Sequence, residues 1–595
     1  MAPPSPPATS HWLLRVLRLR VWIAERIRPS DLQVTLAWAG IIGSAGAAAS
    51  VAFRQLTAWV HYLFTGHYGG YVETFVHLPW WQRLILPAIG GALAGVTLLL
   101  GSRWVPKKIS TDYMEAVVVG DGVVPARLSL VKCASALLSI ASGASIGREG
   151  PLVQLSAMIA SAVGRWRRVP TMQRRLLVAC GAAAGIASAY NAPIGGALFV
   201  AEVVLQSLAM ESFGPLVFAS VIATLTTRQL LGGTALYEIP SIAMRSNWEI
   251  LPHAALGLCA GLSAPGFLRL LRVSENFFAR LRLPLYLRLA LGGLIVGALA
   301  IVWPEVCGNG YTTVNSILRD AWPWRALLAV LAFKLLATSA SFGSGAVGGV
   351  FTPTLFVGAS LGCIVGQAAA YLWPALGITP QAYTIVGMGA FLAGTTHAPL
   401  MAILMLFEMT LDYQIILPLM LAAVIAHYVS SAFEKNSIYA ESLRRKGGGD
   451  FRRHLSESRV ADLMKPNPAH VTENANFGAI AQNFITHRFN YLYVVDEAKR
   501  FKGAVALHDI KSYLHQPDLA ECVIARDIMR EDFPSIAPGC SLSEALSRFS
   551  HHDGERLPIL DGAEGRTLIG TISKSDLILA LAEQARGFAH PTADY

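Results

Sequence analysis

From about residue 32 to residue 433 this chain is a succession of long apolar stretches, many with Gly or Ala at close spacing. In lipid every backbone N–H and C=O must find an internal partner, which leaves helices and closed barrels as the available folds. Residues 34–53, 84–100, 254–270, 287–302 and 415–429 approach the roughly 20 residues that a spanning helix needs. Residues 142–163 and 336–366 are as apolar but are broken by Gly and Pro. A break at membrane depth is tolerated only against protein or a watery cavity, and transporters tend to bind ions at such breaks. Only 14% of the 595 residues are charged, where a soluble protein carries about 25%. Beyond residue 441 the composition becomes water-compatible, so a membrane body is followed by a soluble tail.

The net charge of +10 owes much to Arg15, Arg18, Arg20, Arg26 and Arg28, ahead of the first long span. The positive-inside rule sets this amphipathic stretch on the cytoplasmic surface. No aromatic–basic interleaving accompanies it, so nucleic acid is not the expected partner. The seven cysteines (Cys133, Cys180, Cys259, Cys307, Cys363, Cys522 and Cys540) are scattered without a CxxC, which fits packing rather than metal or disulfide chemistry.

The body repeats itself. Gly143-Ala-Ser-Ile-Gly147-Arg148-Glu149-Gly150-Pro151 matches Gly345-Ala-Val-Gly-Gly349-Val350-Phe351-Thr352-Pro353 in register, 202 positions apart. Asn191-Ala-Pro193 with Leu198 and Glu202 matches His397-Ala-Pro399 with Leu404 and Glu408, 206 positions apart. Two matches in the same order argue for duplicated halves, inverted if each crosses an odd number of times. The tail repeats too, at a 65-residue offset: Asp462-Leu-Met464 with Asp527-Ile-Met529, then Tyr493-Val-Val-Asp496 with Pro558-Ile-Leu-Asp561. Short apolar runs alternating with amphipathic stretches make each unit a small α/β module.

The 147–151 motif carries the chemistry. Pro151 suits the first turn of a helix, which leaves the N–H groups around Arg148, Glu149 and Gly150 at a helix start. Orphan donors and the positive end of the dipole make such a start an anion site. The second half offers the same at Val350, Phe351 and Thr352. A Glu149 carboxylate would compete with a permeating anion for these donors, and its protonation would end the competition. An N-terminal carboxylate that merely steadies the dipole is the plainer reading, but an ionisable residue inside a membrane segment is functional by default. The Ala-Pro pairs read as packing, with Glu202 and Glu408 capping or bridging helices. Lys132, in an apolar run, either raises the local positive potential or snorkels to the surface.

These motifs resemble the CLC family of chloride channels and proton-coupled chloride transporters, from about residue 32 to residue 581. The 147–151 stretch matches its GREGP motif and 349–353 its GxFxP motif; GMGAFLAGTTHAPLMAILMLFEMT, residues 387–410, is also close to its pattern. Ser437-Ile-Tyr439 is similar to the segment bearing the pore tyrosine, and the tail resembles paired CBS domains. The resemblance implies an all-α polytopic membrane fold with two inverted repeats and a C-terminal α/β tandem CBS module, assembled as a homodimer in the inner membrane with cytoplasmic termini. It divides the chain into a basic segment 1–31, a transmembrane anion pathway 32–446, a linker 447–456, and CBS domains at 457–516 and 522–586. It implies Glu149 as the gate, an anion path along Arg148, Glu149, Gly150, Val350, Phe351, Thr352 and Tyr439, and Lys132 as an electrostatic aid.

Two positions depart from the family. The GSGIP loop should lie 24 residues before Lys132, where the chain reads Lys107-Lys108-Ile109-Ser110-Thr111-Asp112; Ser110 is the substitute for its anion-binding serine. The internal proton glutamate of many exchangers is replaced by Val203. Both departures resemble the bacterial ClcB-type branch. The expected activity is therefore chloride transport by a voltage-gated or passive channel, with a chloride/proton antiporter as the alternative. A fluoride exporter and a nucleotide-sensing receptor are weaker readings, and nothing in the body has the constellation of an enzyme or a metal site. In the tail, Ser573, Asp576 and Asp509 are the candidate contacts for an adenine nucleotide, with Ala506 at the position that Ser573 occupies in the second unit.

Overall fold

The computed structural model describes residues 31–104, 112–118, 120–233, 237, 246–320, 322–439, 458–486, 490–510, 522–550, 555–561 and 566–577. The basic N-terminal arginines, Ser110 and the 447–456 linker lie outside these residues. The chain forms two compact units, Met1–Leu443 and Arg444–Tyr595.

The body opens with α1 (Asp31–Thr65), α2 (Tyr71–His77), α3 (Trp80–Trp104) and α4 (Tyr113–Val118). Next come α5 (Ala126–Ala141), α6 (Glu149–Trp166), α7 (Thr171–Tyr190) and α8 (Pro193–Leu198). A π-helical turn, Phe199–Leu205, prolongs α8. Helices α9 (Met210–Leu231), α10 (Ile250–Arg280) and α11 (Leu285–Val302) lead into the second half. That half holds α12 (Tyr311–Arg319), α13 (Trp324–Gly343), α14 (Phe351–Leu372), α15 (Pro380–Thr396), α16 (Pro399–Thr410) and α17 (Ile416–Phe433). Among the described residues eight helices are long and apolar enough to cross a membrane. The breaks expected within 142–163 and 336–366 are real: helices stop at Ala141 and Gly343 and restart at Glu149 and Phe351. Gly143 (φ +101°) and Gly345 (φ +97°) make the two turns, each in the left-handed region that only glycine enters freely.

Between apolar helices in lipid, close packing does the work that water exclusion does elsewhere. On α11, a Cβ at Gly293 would strike the Pro87 carbonyl of α3, and one at Gly297 the Leu84 carbonyl. On α3, Gly91 and Gly95 lie as close to Leu289 and Tyr286. The glycines thus let two backbones touch, and the runs 177–190 of α7, 351–360 of α14 and 382–396 of α15 are buried.

Among the described residues the tail forms two three-stranded sheets. One runs β2 (His470–Thr472), β3 (Tyr491–Val495), β4 (Phe501–Ala506), with β2–β3 parallel and β3–β4 antiparallel. The other runs β1 (Lys465–Pro466), β6 (Thr567–Ser573), β5 (Arg556–Asp561), antiparallel throughout. Strand β1 stands early in the chain yet pairs with β6, and Tyr493 shares a 3.0 Å hydrogen bond with Thr571, so the units interlock.

Candidate functional site

The two duplicated glycine motifs meet. Gly147 N–H donates to the Gly349 carbonyl at 2.7 Å, and Gly349 N–H donates back to Gly147 at 2.9 Å. This antiparallel pair joins equivalent positions of the two halves, and brings the starts of α6 and α14 to one place.

Glu149 bridges them. It is 4% exposed, and its carboxylate accepts from the Thr352 N–H (3.1 Å) and the Thr352 hydroxyl (3.2 Å) of the opposite half. The first turn of α14 therefore holds a carboxylate where orphan amides and dipole favour an anion. Space around it is tight: a Cβ on Gly349 would stand 2.5 Å from Glu149 Oε1, and one on Gly147 would strike the same carboxylate. Of the other expected path residues, Val350, Phe351 and Thr352 are buried at the start of α14, and Gly150 faces the Gly348–Gly349 backbone. Arg148 is half-buried, its guanidinium 5.8 Å from the Tyr311 ring centroid. Tyr439 is half-buried, edge-on to Phe199 at 5.3 Å, and within electrostatic reach of Glu149. Lys132 is half-buried on α5, next to Cys133, whose thiol donates to the Pro151 carbonyl at 3.6 Å.

Several buried polar residues around the two motifs escaped the sequence. Tyr190, at the end of α7, shares a 3.2 Å hydrogen bond with the Thr352 hydroxyl and packs 4.8 Å from Phe351. Its one signal was position, immediately before the Asn191-Ala-Pro193 repeat. Tyr113 is 8% exposed, its N–H held by Asp112 (2.8 Å) and by Gln154 (3.3 Å) of the helix that Glu149 begins. Lys334 on α13 is wholly buried; its ammonium donates to Val306 O (2.8 Å) and Gly308 O (2.9 Å) above the Phe356 ring. Gly308 N–H in turn donates to Gly143 O, at the turn that leads to the motif.

The second repeat pairs crosswise. Glu202 accepts from Leu400 N–H (3.3 Å) and Met401 N–H (2.7 Å), at the start of α16. Glu408 accepts from Ile194 N–H (2.9 Å) and Gly195 N–H (2.7 Å), at the start of α8. Each carboxylate caps the helix of the other half, as a two-fold relation requires. Val203 is buried in the π turn, and the equivalent stretch of the second half stays α-helical.

A model of the voltage gated chloride channel family matches residues 102–431, and CBS domain models match 460–516 and 525–583. The chain belongs to the CLC family. A Ralstonia nicotianae protein named for its likeness to ClcB is 53% identical over 414 residues, covering 69% of this chain and 96% of its own. The voltage-gated ClC-type chloride channel ClcB of Citrobacter koseri is 40% identical, covering 68% and 97%. The crystal structure of a slow cyanobacterial Cl–/H+ antiporter matches with TM-score 0.62 at 26% identity, covering 69% of this chain and 97% of that one. A eukaryotic CLC transporter shares the fold over 91% of this chain and 97% of its own, with TM-score 0.60 at 18% identity. This CLC protein is thus a multi-pass membrane protein of a chloride-transporting family, with CBS domains at its C-terminal side.

The candidate nucleotide contacts of the CBS tail are engaged internally. Ser573 donates to Asp576 at 2.6 Å, and Asp576 pairs with Lys465 at 2.7 Å. Burial works against the Asp576 charge, but Lys465 and Ser573 outweigh it and hold the carboxyl below its usual range. Asp509 takes a two-pronged bond from Arg530, 2.9 and 2.5 Å, which raises that guanidinium further.

Proposed function

We propose that this CLC protein conducts chloride through a pathway gated by Glu149, as a voltage-gated or passive channel. The observation that carries this reading is the Glu149 carboxylate resting on the Thr352 amide and hydroxyl of the opposite half. A carboxylate there occupies donors that suit a halide, and protonation weakens its claim on them. Weak, uncharged donors favour entry and release, the condition for conduction. Arg148, Gly150, Val350, Phe351 and Tyr439 complete the proposed path, with Lys132 lending positive potential from α5. Val203 has no proton to relay, which favours the channel. The antiporter reading is supported by the likeness to the cyanobacterial Cl–/H+ antiporter. Reversal potentials under an imposed pH gradient separate the two. A channel's reversal potential follows the chloride gradient alone, and a shift with the proton gradient overturns the channel reading.

The homodimer, the inner-membrane location with cytoplasmic termini, and the division into 1–31, 32–446, 447–456, 457–516 and 522–586 are part of the same proposal. We read the CBS tail as a structural module at rest, since an adenine nucleotide reaching Ser573 and Asp576 must displace Lys465. ATP titration of the purified full-length protein tests this, and saturable binding lost in Asp576→Asn would overturn it.

A further inference from the structure

We propose that Tyr190 and Thr352 form a two-hydroxyl latch that holds the gate shut, with Tyr190 as its positioning residue. The idea rests on Glu149 being the gate. Thr352 has one hydroxyl proton, and it goes to Glu149 Oε2. The 3.2 Å bond between Tyr190 and Thr352 must then have the tyrosine as donor. The order is fixed: Tyr190 O–H to Thr352 O–H to the Glu149 carboxylate. Each donation polarises the next hydroxyl, so the terminal bond to the charge strengthens.

The chain joins both halves, since Tyr190 and Glu149 come from the first and Thr352 from the second. Tyr190 is 1% exposed, its ring fixed against Phe351 and its hydroxyl 3.2 Å from that of Thr352. Tyr311 lies beside both hydroxyls, under the Arg148 guanidinium. Beyond it stands Tyr237, 1% exposed, 5.7 Å from the Tyr311 ring, with no partner for its hydroxyl among the described residues. The titratable groups facing Glu149 are Arg148 at its own helix start, Tyr113 of α4, Tyr190 of α7, Tyr311 of α12, Tyr237 and Tyr439. Of these Arg148 carries charge at neutral pH, so the hydroxyls are what distinguish a seated carboxylate from a released one.

The test is chloride efflux from vesicles across pH for wild type, Thr352→Val, Thr352→Ser, Tyr190→Phe and the double variant, with Glu149→Ala alongside. Thr352→Val removes a hydrogen bond to a charge, so its pH of half-maximal efflux moves up by about one unit, or about tenfold in proton concentration. Tyr190→Phe keeps the ring and moves it the same way by about a third of a unit, the cooperative share alone. Thr352→Ser keeps the hydroxyl, so its pH of half-maximal efflux returns toward the wild-type value whatever its absolute rate. The double variant goes no further than Thr352→Val, because a severed chain has nothing left to polarise. Additive shifts, or a Tyr190→Phe profile that coincides with wild type, overturn the latch. Glu149→Ala distinguishes that failure from a deeper one: if it keeps the wild-type pH dependence, Glu149 is not the gate.

Discussion

The crosswise caps offer a prediction whose size follows from geometry. Replace Glu408 with Ala, and α8 loses the carboxylate that accepts from Ile194 at 2.9 Å and Gly195 at 2.7 Å. A hydrogen bond to a charged group is worth about 1.5–3 kcal/mol when buried, and a carboxylate at a helix start adds about 0.3–1 kcal/mol. Ile194 lies at the surface and Gly195 is buried, so one strong bond is the fair count. The expected loss is about 2 kcal/mol for Glu408→Ala. Glu408→Gln keeps an acceptor but not the charge, and charge roughly doubles such a bond, so about 1 kcal/mol is expected. Glu202→Ala and Glu202→Gln follow the same order at α16, where the bonds are 3.3 and 2.7 Å. Unfolding of the purified protein in detergent, followed by tryptophan fluorescence, ranks wild type above Gln above Ala at both positions. Gln and Ala variants of equal stability would refute the charge-capping argument, and an effect at one position alone would refute the two-fold relation.

Three further outcomes are expected. Lys334→Met removes the donors to Val306 and Gly308, and about 2–4 kcal/mol of stability should go with them, read in the same unfolding assay; an unchanged midpoint would show the buried ammonium to be dispensable. Gly349→Ala puts a methyl 2.5 Å from Glu149 Oε1 and should raise chloride efflux at neutral pH, while Gly150→Ala, whose Cβ would meet the Gly348 backbone at an ordinary 3.5 Å, should not. In the tail, the Asp576 carboxyl is held below its ordinary value, so its contribution is present at neutral pH and lost as pH falls through that lowered value. Proteolysis of the full-length protein should therefore show a constant Asp576→Asn penalty of under about 1 kcal/mol from pH 7 to 5, shrinking below about pH 4.

Much of this was legible in the residues. Equal offsets between the 147–151 and 349–353 motifs announced two halves, and an ionisable Glu149 at a helix start inside apolar sequence announced the site. Broken stretches marked the breaks where helices restart. What sequence spacing does not carry is which half a side chain serves. Glu202 and Glu408 sit at matched positions, but only the fold shows that each caps the opposite helix. Beyond its place before the Asn191-Ala-Pro193 repeat, Tyr190 has no counterpart signal in the sequence, since a phenol and a phenyl pack alike until the hydroxyl meets Thr352. Lys334 is hidden for a similar reason, being a lone charge in an apolar helix whose acceptors, Val306 and Gly308, lie 26 residues or more away.

In the proposed mechanism, a proton on the Glu149 carboxylate opens the path. Chloride efflux from vesicles holding wild type and Glu149→Ala, measured at acid and neutral pH, tests it most directly. Wild type should speed up on acidification, and the variant should run fast at both values. A variant that slows at neutral pH as wild type does would contradict the account.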